Sequence, residues 1–359
     1  MDRRLQIGQR WVGEGEPAFC IAEVGINHNG DLQQAMKMID AAKAMGADAV
    51  KFQTFKAEEF CGDPAQTYTY QSQGRSVTEP MLQMFKRHEF GVDQWRAIKR
   101  HCDSAGIVFL STPQNIGDLQ LLLELGIPAV KIGSDDFTNL PQIRRYREAG
   151  LPLLLSCGMS DMAEVHQALD AAGWFEGRPV VLLLCTSQYP TPAEDVNVAK
   201  LTTLRQGFPG LVTGFSDHSQ GRDAAMLARA LGACVFEKHF TLDHGLPGPD
   251  HWFSEEPRNL RAWLDGIRLA DVLLGDPRVR PTPAEMEMRT LARRSVVALR
   301  DIAAGEALTE ENIGLRRPGG GLSPDMLQQA LGLVAAVPIR AGQKLRLGEM
   351  MANGERDAG

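Results

Sequence analysis

The chain has 359 residues, with 38 Lys and Arg against 45 Asp and Glu, a net charge of −7. This length favours two domains. The sequence contains no basic stripe, so nucleic acid is not expected as a main partner, and no apolar run of about 18 residues that would span a membrane. Its polar start predicts no secretory signal. Six scattered cysteines without a CxxC pair predict reduced, buried thiols and a cytoplasmic location.

Short apolar segments alternate along the chain with segments of helical periodicity. The apolar segments, each predicted to be a strand, span 19–26, 49–55, 107–113, 129–134, 151–158, 179–187, 212–218 and 233–240. The predicted helices span 31–46, 91–106, 116–126, 139–150, 161–173, 197–208, 222–232 and 257–274. Strands that are apolar on both faces are typical of parallel sheets. Eight such units in about 255 residues predict an α/β fold, the (β/α)8 TIM barrel, over an open doubly wound sheet.

Both ends of the chain differ from this alternating pattern. Glycines among the first 18 residues predict a hairpin that closes the bottom of the barrel, giving a catalytic domain over 1–275. Pro and Gly after the last helix predict a linker over 276–290. Short Val-rich and Ala-rich runs predict a small, mostly β domain over 291–352. Residues 353–359 are expected to be a disordered tail.

Two lysines interrupt the predicted barrel strands. In a TIM barrel the active site lies at the carboxyl ends of the strands, which is where Lys51 and Lys131 fall. A buried charge without a partner costs several kcal/mol, so each lysine needs a counter-charge. Three interpretations remain open: pairing with carboxylates of neighbouring strands, an anion pocket for a phosphate and a carboxylate, or a Schiff-base lysine. Nearby hydroxyl residues favour the anion pocket.

Two histidines follow neighbouring strands at the same end of the barrel. Adjacent strands lie about 4.8 Å apart, so His218 and His239 can reach one divalent ion such as Mn²⁺. The alternative is a pair of hydrogen-bonded histidines at a polar barrel mouth. Asp250 lies in a rigid Gly-Leu-Pro-Gly-Pro loop that can hold it over the mouth, unless this loop is only a surface turn.

These residues lie in motifs that resemble the sialic acid synthase (N-acetylneuraminate synthase) family along nearly the whole chain. The matching motifs are AEVGINHNG (22–30), KFQT (51–54), STP (111–113), KIGS (131–134), CTSQYPTP (185–192), GFSDH (214–218), EKHF (237–240) and PGPD (247–250). The C-terminal part, with RRPG at 316–319, resembles the family's antifreeze-like SAF domain.

The resemblance implies that phosphoenolpyruvate condenses with an N-acetylmannosamine-like aldehyde sugar, giving a nine-carbon 3-deoxy-2-keto acid and phosphate. Phosphoenolpyruvate would be held by Lys51, Thr112, Lys131, Ser134, Ser156, Ser187 and Ser216. The sugar would be held by Gln53, Tyr189, Asp250 and the partner subunit's Arg317, in a domain-swapped homodimer. His218 and His239 would bind the metal, with Mn²⁺ preferred to Mg²⁺ or Co²⁺, and Glu23 or Asp136 would manage protons.

The sequence departs from the family pattern in ways that affect these expectations. Asp135-Asp136 stands where the family often has Gly-Glu, and Ser187 stands where some members have Asn. The PGPD motif fits sialic and legionaminic acid synthases better than pseudaminic acid synthases, and FQTFKAE (52–58) is compatible with a legionaminic acid synthase. A non-catalytic carbohydrate-binding protein and a Schiff-base sialic acid lyase remain as alternatives from other classes.

Overall fold

The structure is a computed structural model in which residues 4–353 are described. The chain divides into two compact units, with the boundary after Gly275. Apart from Asn353, the tail expected over 353–359 lies outside the described residues.

The first unit contains a barrel of parallel strands surrounded by helices. Its strands are β1 (Arg4–Ile7), β2 (Arg10–Gly13), β3 (Phe19–Gly25), β4 (Ala49–Thr54), β5 (Thr67–Ser72), β6 (Arg75–Pro80), β7 (Val108–Pro113), β8 (Val130–Ile132), β9 (Leu153–Ser156), β10 (Val180–Cys185), β11 (Val212–Asp217) and β12 (Val235–His239). Its helices are α1 (Leu32–Met45), α2 (Ala57–Phe60), α3 (Met81–His88), α4 (Val92–Ala105), α5 (Ile116–Glu124), α6 (Leu140–Arg147), α7 (Met162–Ala171), α8 (Ala193–Val196), α9 (Lys200–Gly207), α10 (Asp223–Ala230) and α11 (Pro257–Leu274).

Eight strands form one sheet in the order β7-β4-β3-β12-β11-β10-β9-β8. Strands β7 and β8, at the two ends of this order, also contact each other, so the sheet is a nearly closed barrel. The strands are buried on both faces because helices cover the outside and side chains fill the inside. The predicted α/β TIM barrel is therefore confirmed. Among the described residues, no helix is long and apolar enough to cross a membrane.

The N-terminal hairpin closes the bottom of the barrel. Strands β1 and β2 pair antiparallel, and Ile7 and Val12 are fully buried among interior residues of the barrel, including Leu154 and Val181. These apolar side chains fill the amino-terminal end of the barrel, as predicted.

An insertion between β4 and α4 was not predicted. It contains α2, the β5–β6 hairpin and α3. The hairpin strands are mostly exposed, so they lack the apolar alternation by which strands are recognised in a sequence. At the hairpin tip, the side-chain amide of Gln73 donates to the carbonyl of Gly245 at 2.8 Å, and the amide of Gly248 donates to Ser72 Oγ at 3.1 Å. The insertion therefore reaches the loop that follows the last barrel strand.

The second unit is small and has its own apolar core. Its elements are α12 (Pro283–Ala292), β13 (Ser295–Ala298), β14 (Ile313–Arg316), α13 (Leu327–Ala330), β15 (Val334–Ala335) and β16 (Met350–Met351). The strands form two antiparallel pairs, which agrees with a small β domain. The segment 276–290, predicted to be a linker, contains most of α12. Thr282 and Glu285 form a capping box around Pro283, a helix-start signal that the sequence carries.

Candidate active site

A cavity of about 730 Å³ opens at the carboxyl ends of the barrel strands. This volume is typical of sites that bind small molecules. The predicted site residues that line it are Glu23, Lys51, Gln53, Thr112, Lys131, Ser134, Ser156, Ser187, Tyr189, Ser216, His218, His239 and Asp250. The fold therefore brings together side chains that are far apart in the sequence.

A buried charge cluster lies at the centre of this cavity. Lys51 Nζ is 2.9 Å from Glu23 Oε1 and 3.7 Å from Glu237 Oε1, and it donates to Thr112 Oγ1 at 3.0 Å. Lys131 Nζ is 3.9 Å from Glu237 Oε1. Both lysines thus face carboxylates of other strands, which agrees with the interpretation that they pair with neighbouring strands. Both also line the cavity, as the anion-pocket interpretation requires.

Glu237 was not predicted as a site residue, although it contacts both lysines. It lies two residues before His239 on β12, and residues two apart on a strand face the same side. This spacing in the sequence could have identified Glu237 as a residue of the site. Lys238, between them, faces outward and pairs with Asp217 at 3.0 Å.

The cluster shifts the pKa values of its members in different directions. Burial, together with the charge of Glu237, raises the pKa of Glu23 to about 7. Burial lowers the pKa of Lys131. Burial also opposes the charge of Lys51, but Glu23 and Glu237 together raise the pKa of Lys51 above its ordinary value. Burial also opposes the charge of Glu237, but Lys131 and Lys51 hold the pKa of that carboxyl below its ordinary value. Glu23 is therefore the carboxyl of this cluster that can hold or release a proton near neutral pH.

Serine hydroxyls converge beside Lys131. The amide of Gly158 donates to Ser134 Oγ at 3.0 Å, and a Cβ at position 158 would collide with the hydroxyls of Ser134 and Ser187. The Oγ atoms of Ser156 and Ser187 are buried and have no hydrogen-bond partner. Buried polar atoms are rarely left unpaired, so these hydroxyls are suited to bind a polar ligand.

The two predicted metal ligands are neighbours. The ring centroids of His218 and His239 are 5.4 Å apart. His218 Nδ1 donates to the carbonyl of Thr186 at 2.8 Å, so Nε2 is the ring nitrogen left to bind a ligand. Burial opposes the charge of this ring, but the Cys185 sulfur and the Thr186 carbonyl raise the pKa of His218 above its ordinary value. His239 Nδ1 is buried without a hydrogen-bond partner and lies 4.0 Å from Asp250 Oδ2. Burial and then the charge of His218 hold the pKa of His239 well below its usual value, so this ring is neutral.

This donor set fits one cation with open coordination positions. Because metal–nitrogen bonds are about 2 Å long, two histidines that bind one ion have ring centroids no more than about 6.5 Å apart. The 5.4 Å between His218 and His239 lies within this limit. Within residues 4–353, no group of three or more His, Cys, Asp or Glu side chains is arranged to hold a metal ion. A metal ion held by this pair of imidazoles stays a prediction, and other groups would have to complete its coordination.

The loop that carries Asp250 is tied to the barrel. Ser254 Oγ donates to the carbonyl of Asp250 at 2.5 Å and accepts from the amide of Asn27 at 2.9 Å. His251 Nδ1 and Thr241 Oγ1 are hydrogen-bonded at 2.6 Å. Asp250 lines the cavity, and burial raises its pKa to about 6. The loop therefore orders a side chain of the cavity and is more than a surface turn.

Glu23, Gln53 and Asp250 surround one glycine. A Cβ at Gly25 would lie 3.4 Å from Glu23 Oε1, 3.6 Å from Gln53 Nε2 and 3.8 Å from Asp250 Oδ2, and Gly25 has a φ of +53°. A side chain here would be strained and would fill the space between them. Glycine at this position therefore keeps the space between these three side chains open.

Two predicted site residues lie elsewhere. Asp136 is not among the lining residues, because it lies in the turn before α6, where its Oδ1 accepts from the side-chain amide of Asn139 at 3.0 Å. Asp135 lines the cavity instead. Arg317 follows β14 in the second unit and is exposed. Its contribution to a partner subunit stays a prediction.

Known proteins identify the family. Residues 38–278 match the NeuB family, and residues 293–348 match the SAF domain. The chain belongs to the NeuB family. This confirms the resemblance to the sialic acid synthases, so the protein is an enzyme of that family.

Several NeuB-family relatives cover most of the chain. It is 38% identical to N,N'-diacetyllegionaminic acid synthase from Legionella pneumophila, over 93% of this chain and 94% of that protein. It is 36% identical to human N-acetylneuraminate-9-phosphate synthase, over 86% of this chain and 85% of that protein. A crystal structure of N-acetylneuraminic acid (sialic acid) synthetase from Leptospira borgpetersenii, in complex with citrate, superposes with a TM-score of 0.72 at 32% identity, covering 80% of this chain and 95% of that chain.

The insertion supplies the part of this NeuB-family cavity that sequence reasoning missed. Tyr68 and Tyr70 of β5 and Met81 and Phe85 of α3 all line it. The alternating Tyr and Thr residues of β5, followed by Gly74, were a usable hairpin signal. Nothing in that pattern, however, indicates that the hairpin folds over the barrel mouth.

Proposed function

We propose that this NeuB-family enzyme condenses phosphoenolpyruvate with an N-acetylated aldose to give a nine-carbon 3-deoxy-2-keto acid and phosphate. The single observation that carries this proposal is that two buried lysines and two neighbouring imidazoles line one cavity. The lysines provide positive charge for a phosphate and a carboxylate, and the imidazoles provide ligands for a cation beside them.

Phosphoenolpyruvate is assigned to the side of the cavity with lysines and hydroxyls. Lys51 and Lys131 neutralise its phosphate and carboxylate, which the acidic surface of the protein would otherwise repel. Ser156 and Ser187 offer buried hydroxyls that lack a protein partner, and Ser134, Thr112 and Ser216 complete the set.

In the condensation, C3 of phosphoenolpyruvate forms a bond to the aldehyde carbon of the sugar. Water then adds to C2, and the resulting hemiketal phosphate expels phosphate as the keto group forms. Glu23, with its pKa near 7, takes the proton from this water or returns one to the sugar oxygen. Gln53, Tyr189 and Asp250 orient the sugar.

A divalent cation, Mn²⁺ in preference to Mg²⁺ or Co²⁺, would be held by His218 and His239. When bound, it supplies Lewis-acid polarisation of the aldehyde oxygen. The fixed tautomer of His218 and the neutral ring of His239 are the forms that ligate a metal.

The acceptor sugar has two candidates within this function. One is N-acetylmannosamine or its 6-phosphate, and the other is the diacetamido-trideoxy hexose of legionaminic or pseudaminic acid synthesis. We propose to test them by measuring phosphate release from phosphoenolpyruvate with each sugar, and by identifying the keto acid by mass spectrometry. Release that depends on a sugar supports the synthase, whereas sugar binding without release would indicate a carbohydrate-binding protein.

A Schiff-base lyase remains the second candidate, because burial lowers the pKa of Lys131 toward the uncharged form that attacks a carbonyl. Incubation with pyruvate and borohydride distinguishes the two. An adduct on Lys131, found by peptide mass spectrometry, would support the lyase. A synthase gives no adduct.

We also propose a cytoplasmic, domain-swapped homodimer in which each barrel receives the partner subunit's Arg317. Subunits carrying Arg317→Ala have an intact barrel, and subunits carrying His239→Ala have an intact arginine. Each homodimer should show little turnover at low sugar concentration, and dimers mixed from the two should recover about one active site in two. No recovery in verified mixed dimers would contradict the swap.

A further inference from the structure

One wall of the cavity is apolar. It is formed by Ile26, Phe60, Met81, Met84 and Phe85, which line the cavity and belong to an apolar cluster separate from the barrel core. We call these five residues the apolar wall. The Phe85 ring packs edge-to-face on Phe60, with centroids 4.9 Å apart. Such packing makes the wall a firm surface.

The apolar wall lies across the barrel from the serine hydroxyls. In the sheet order, β3 is four strands away from β9, which ends at Ser156, and β4 is four strands away from β10, which leads to Ser187. Strands β11 and β12, which lead to His218 and carry His239, lie between β3 and β10. A sugar whose aldehyde lies at the imidazoles, next to phosphoenolpyruvate, therefore extends its other end toward the apolar wall.

The wall offers no positive charge. Among the described residues that line the cavity, the only Lys or Arg side chains are Lys51 and Lys131, and these serve phosphoenolpyruvate in the proposed function. Four carboxylates line the same cavity, from Glu23, Asp135, Glu237 and Asp250. A second phosphate would meet these carboxylates, with the partner subunit's Arg317, which the proposed function places at the sugar, as the one further side-chain cation.

Three of the four cations of the insertion are paired with carboxylates, and the fourth, Arg75, does not line the cavity. Lys56 pairs with Glu89 at 2.9 Å, Lys86 pairs with Glu58 at 3.0 Å, and Arg87 pairs with Glu79 at 2.6 Å. None of these three cations lines the cavity.

Resting on the proposed function, we infer that the acceptor is unphosphorylated and carries methyl groups at the end away from its aldehyde. A 2,4-diacylamino-6-deoxy aldose has this chemistry, because its 6-methyl and 4-acyl methyl groups suit the apolar wall. The wall is then the specificity-determining subsite. One methyl group in an apolar pocket changes kcat/KM by roughly 10- to 200-fold, enough to separate the candidates.

The experiment compares kcat/KM of the full-length enzyme, with Mn²⁺ and phosphoenolpyruvate, for three sugars: 2,4-diacetamido-2,4,6-trideoxymannose, N-acetylmannosamine and N-acetylmannosamine 6-phosphate. We expect the first to exceed the second by at least about 10-fold and the phosphorylated sugar to be the poorest. A preference for either of the other sugars would overturn this inference and leave the synthase intact. Phosphate release with none of the three would overturn both.

Two variants connect the preference to the wall. Met81→Gln should reduce the ratio between the diacetamido sugar and N-acetylmannosamine by about 10-fold, with the KM of phosphoenolpyruvate unchanged. Met81→Lys should improve the 6-phosphate sugar relative to both. Met162→Gln, at an exposed position on α7, is the matched control. Folded Met81 variants with unchanged sugar ratios would refute the role of the wall, and Phe60→Leu repeats the test if they do not fold.

Discussion

The two sides of the cavity are built in different ways. The side proposed to bind phosphoenolpyruvate, which we call the donor side, consists of polar side chains on or directly after barrel strands. Buried ion pairs hold them, such as Lys51 Nζ and Glu23 Oε1 at 2.9 Å. The side proposed to hold the far end of the sugar, which we call the acceptor side, consists mainly of apolar and aromatic side chains on an insertion whose tip contacts the loop after β12 through Ser72 and Gln73. In the proposed function, rigid strands fix the groups that take part in bond making, whereas the insertion can change the sugar that is accepted without disturbing them.

This difference between the two sides predicts the largest losses at the imidazoles, which lie at the ends of barrel strands between them. His218→Ala or His239→Ala should lower turnover by about 1,000-fold or more, because neither remaining ring holds a cation well. The fold should persist, since neither ring belongs to the apolar core. Turnover, bound metal and circular dichroism would be measured together. Full activity of metal-free wild-type enzyme in EDTA would contradict the metal assignment.

Glu23→Gln should lower kcat by about 100-fold, because proton transfer by a positioned carboxyl contributes roughly 10²- to 10⁴-fold. Its effect on stability depends on pH. Burial and Glu237 raise the pKa of Glu23 from 4.5 to about 7, so the folded protein keeps a proton that the unfolded chain releases. This group's contribution to stability is complete below pH 4.5 and is lost as the pH rises through 7.

Thermal unfolding between pH 4.5 and 8 checks whether stability falls with rising pH as expected. The wild-type Tm should fall relative to that of Glu23→Gln as the pH rises through this window, and the difference should level off above 7. Asp265→Asn, an exposed change on α11, controls for loss of a surface charge. Parallel Tm curves for the wild type and Glu23→Gln would show that Glu23 is not protonated in the fold.

The barrel could be predicted from the sequence and the insertion could not, for one physical reason. A strand such as Val180–Cys185 is apolar throughout because it is buried on both faces, so burial is visible in its composition. Polar residues at such strand ends must then meet at the mouth. The β5–β6 hairpin carries few buried residues, so its composition shows no preferred face. Asp136 was misplaced because a strand end does not tell which of two successive carboxylates turns inward.

Replacing Lys131 is expected to have a smaller effect on activity than replacing the imidazoles or Glu23. Lys131→Met should raise the KM of phosphoenolpyruvate by roughly 10- to 100-fold, since a charged contact is worth about 1.5–3 kcal/mol, and should leave the sugar KM nearly unchanged. It also removes a counter-charge 3.9 Å from Glu237. Lys131→Met with Glu237→Gln restores the charge balance, so the double variant should recover stability but not affinity for phosphoenolpyruvate. Recovery of that affinity would mean that Lys131 acts only through Glu237.

The smallest effect belongs to the hairpin tip, and it separates the two sides of the cavity most directly. Gln73→Ala removes the 2.8 Å hydrogen bond to the carbonyl of Gly245, and the change lies on an exposed turn. One such bond is worth about 1 kcal/mol, so the sugar KM should rise about three- to fivefold while kcat and the KM of phosphoenolpyruvate stay within twofold. Ser76→Ala, at an exposed position on β6 of the same hairpin that does not line the cavity, controls for a general loss of hairpin order. Equal changes in both KM values would mean that the hairpin supports the whole mouth, and the distinction between a fixed donor side and an adjustable acceptor side would fail.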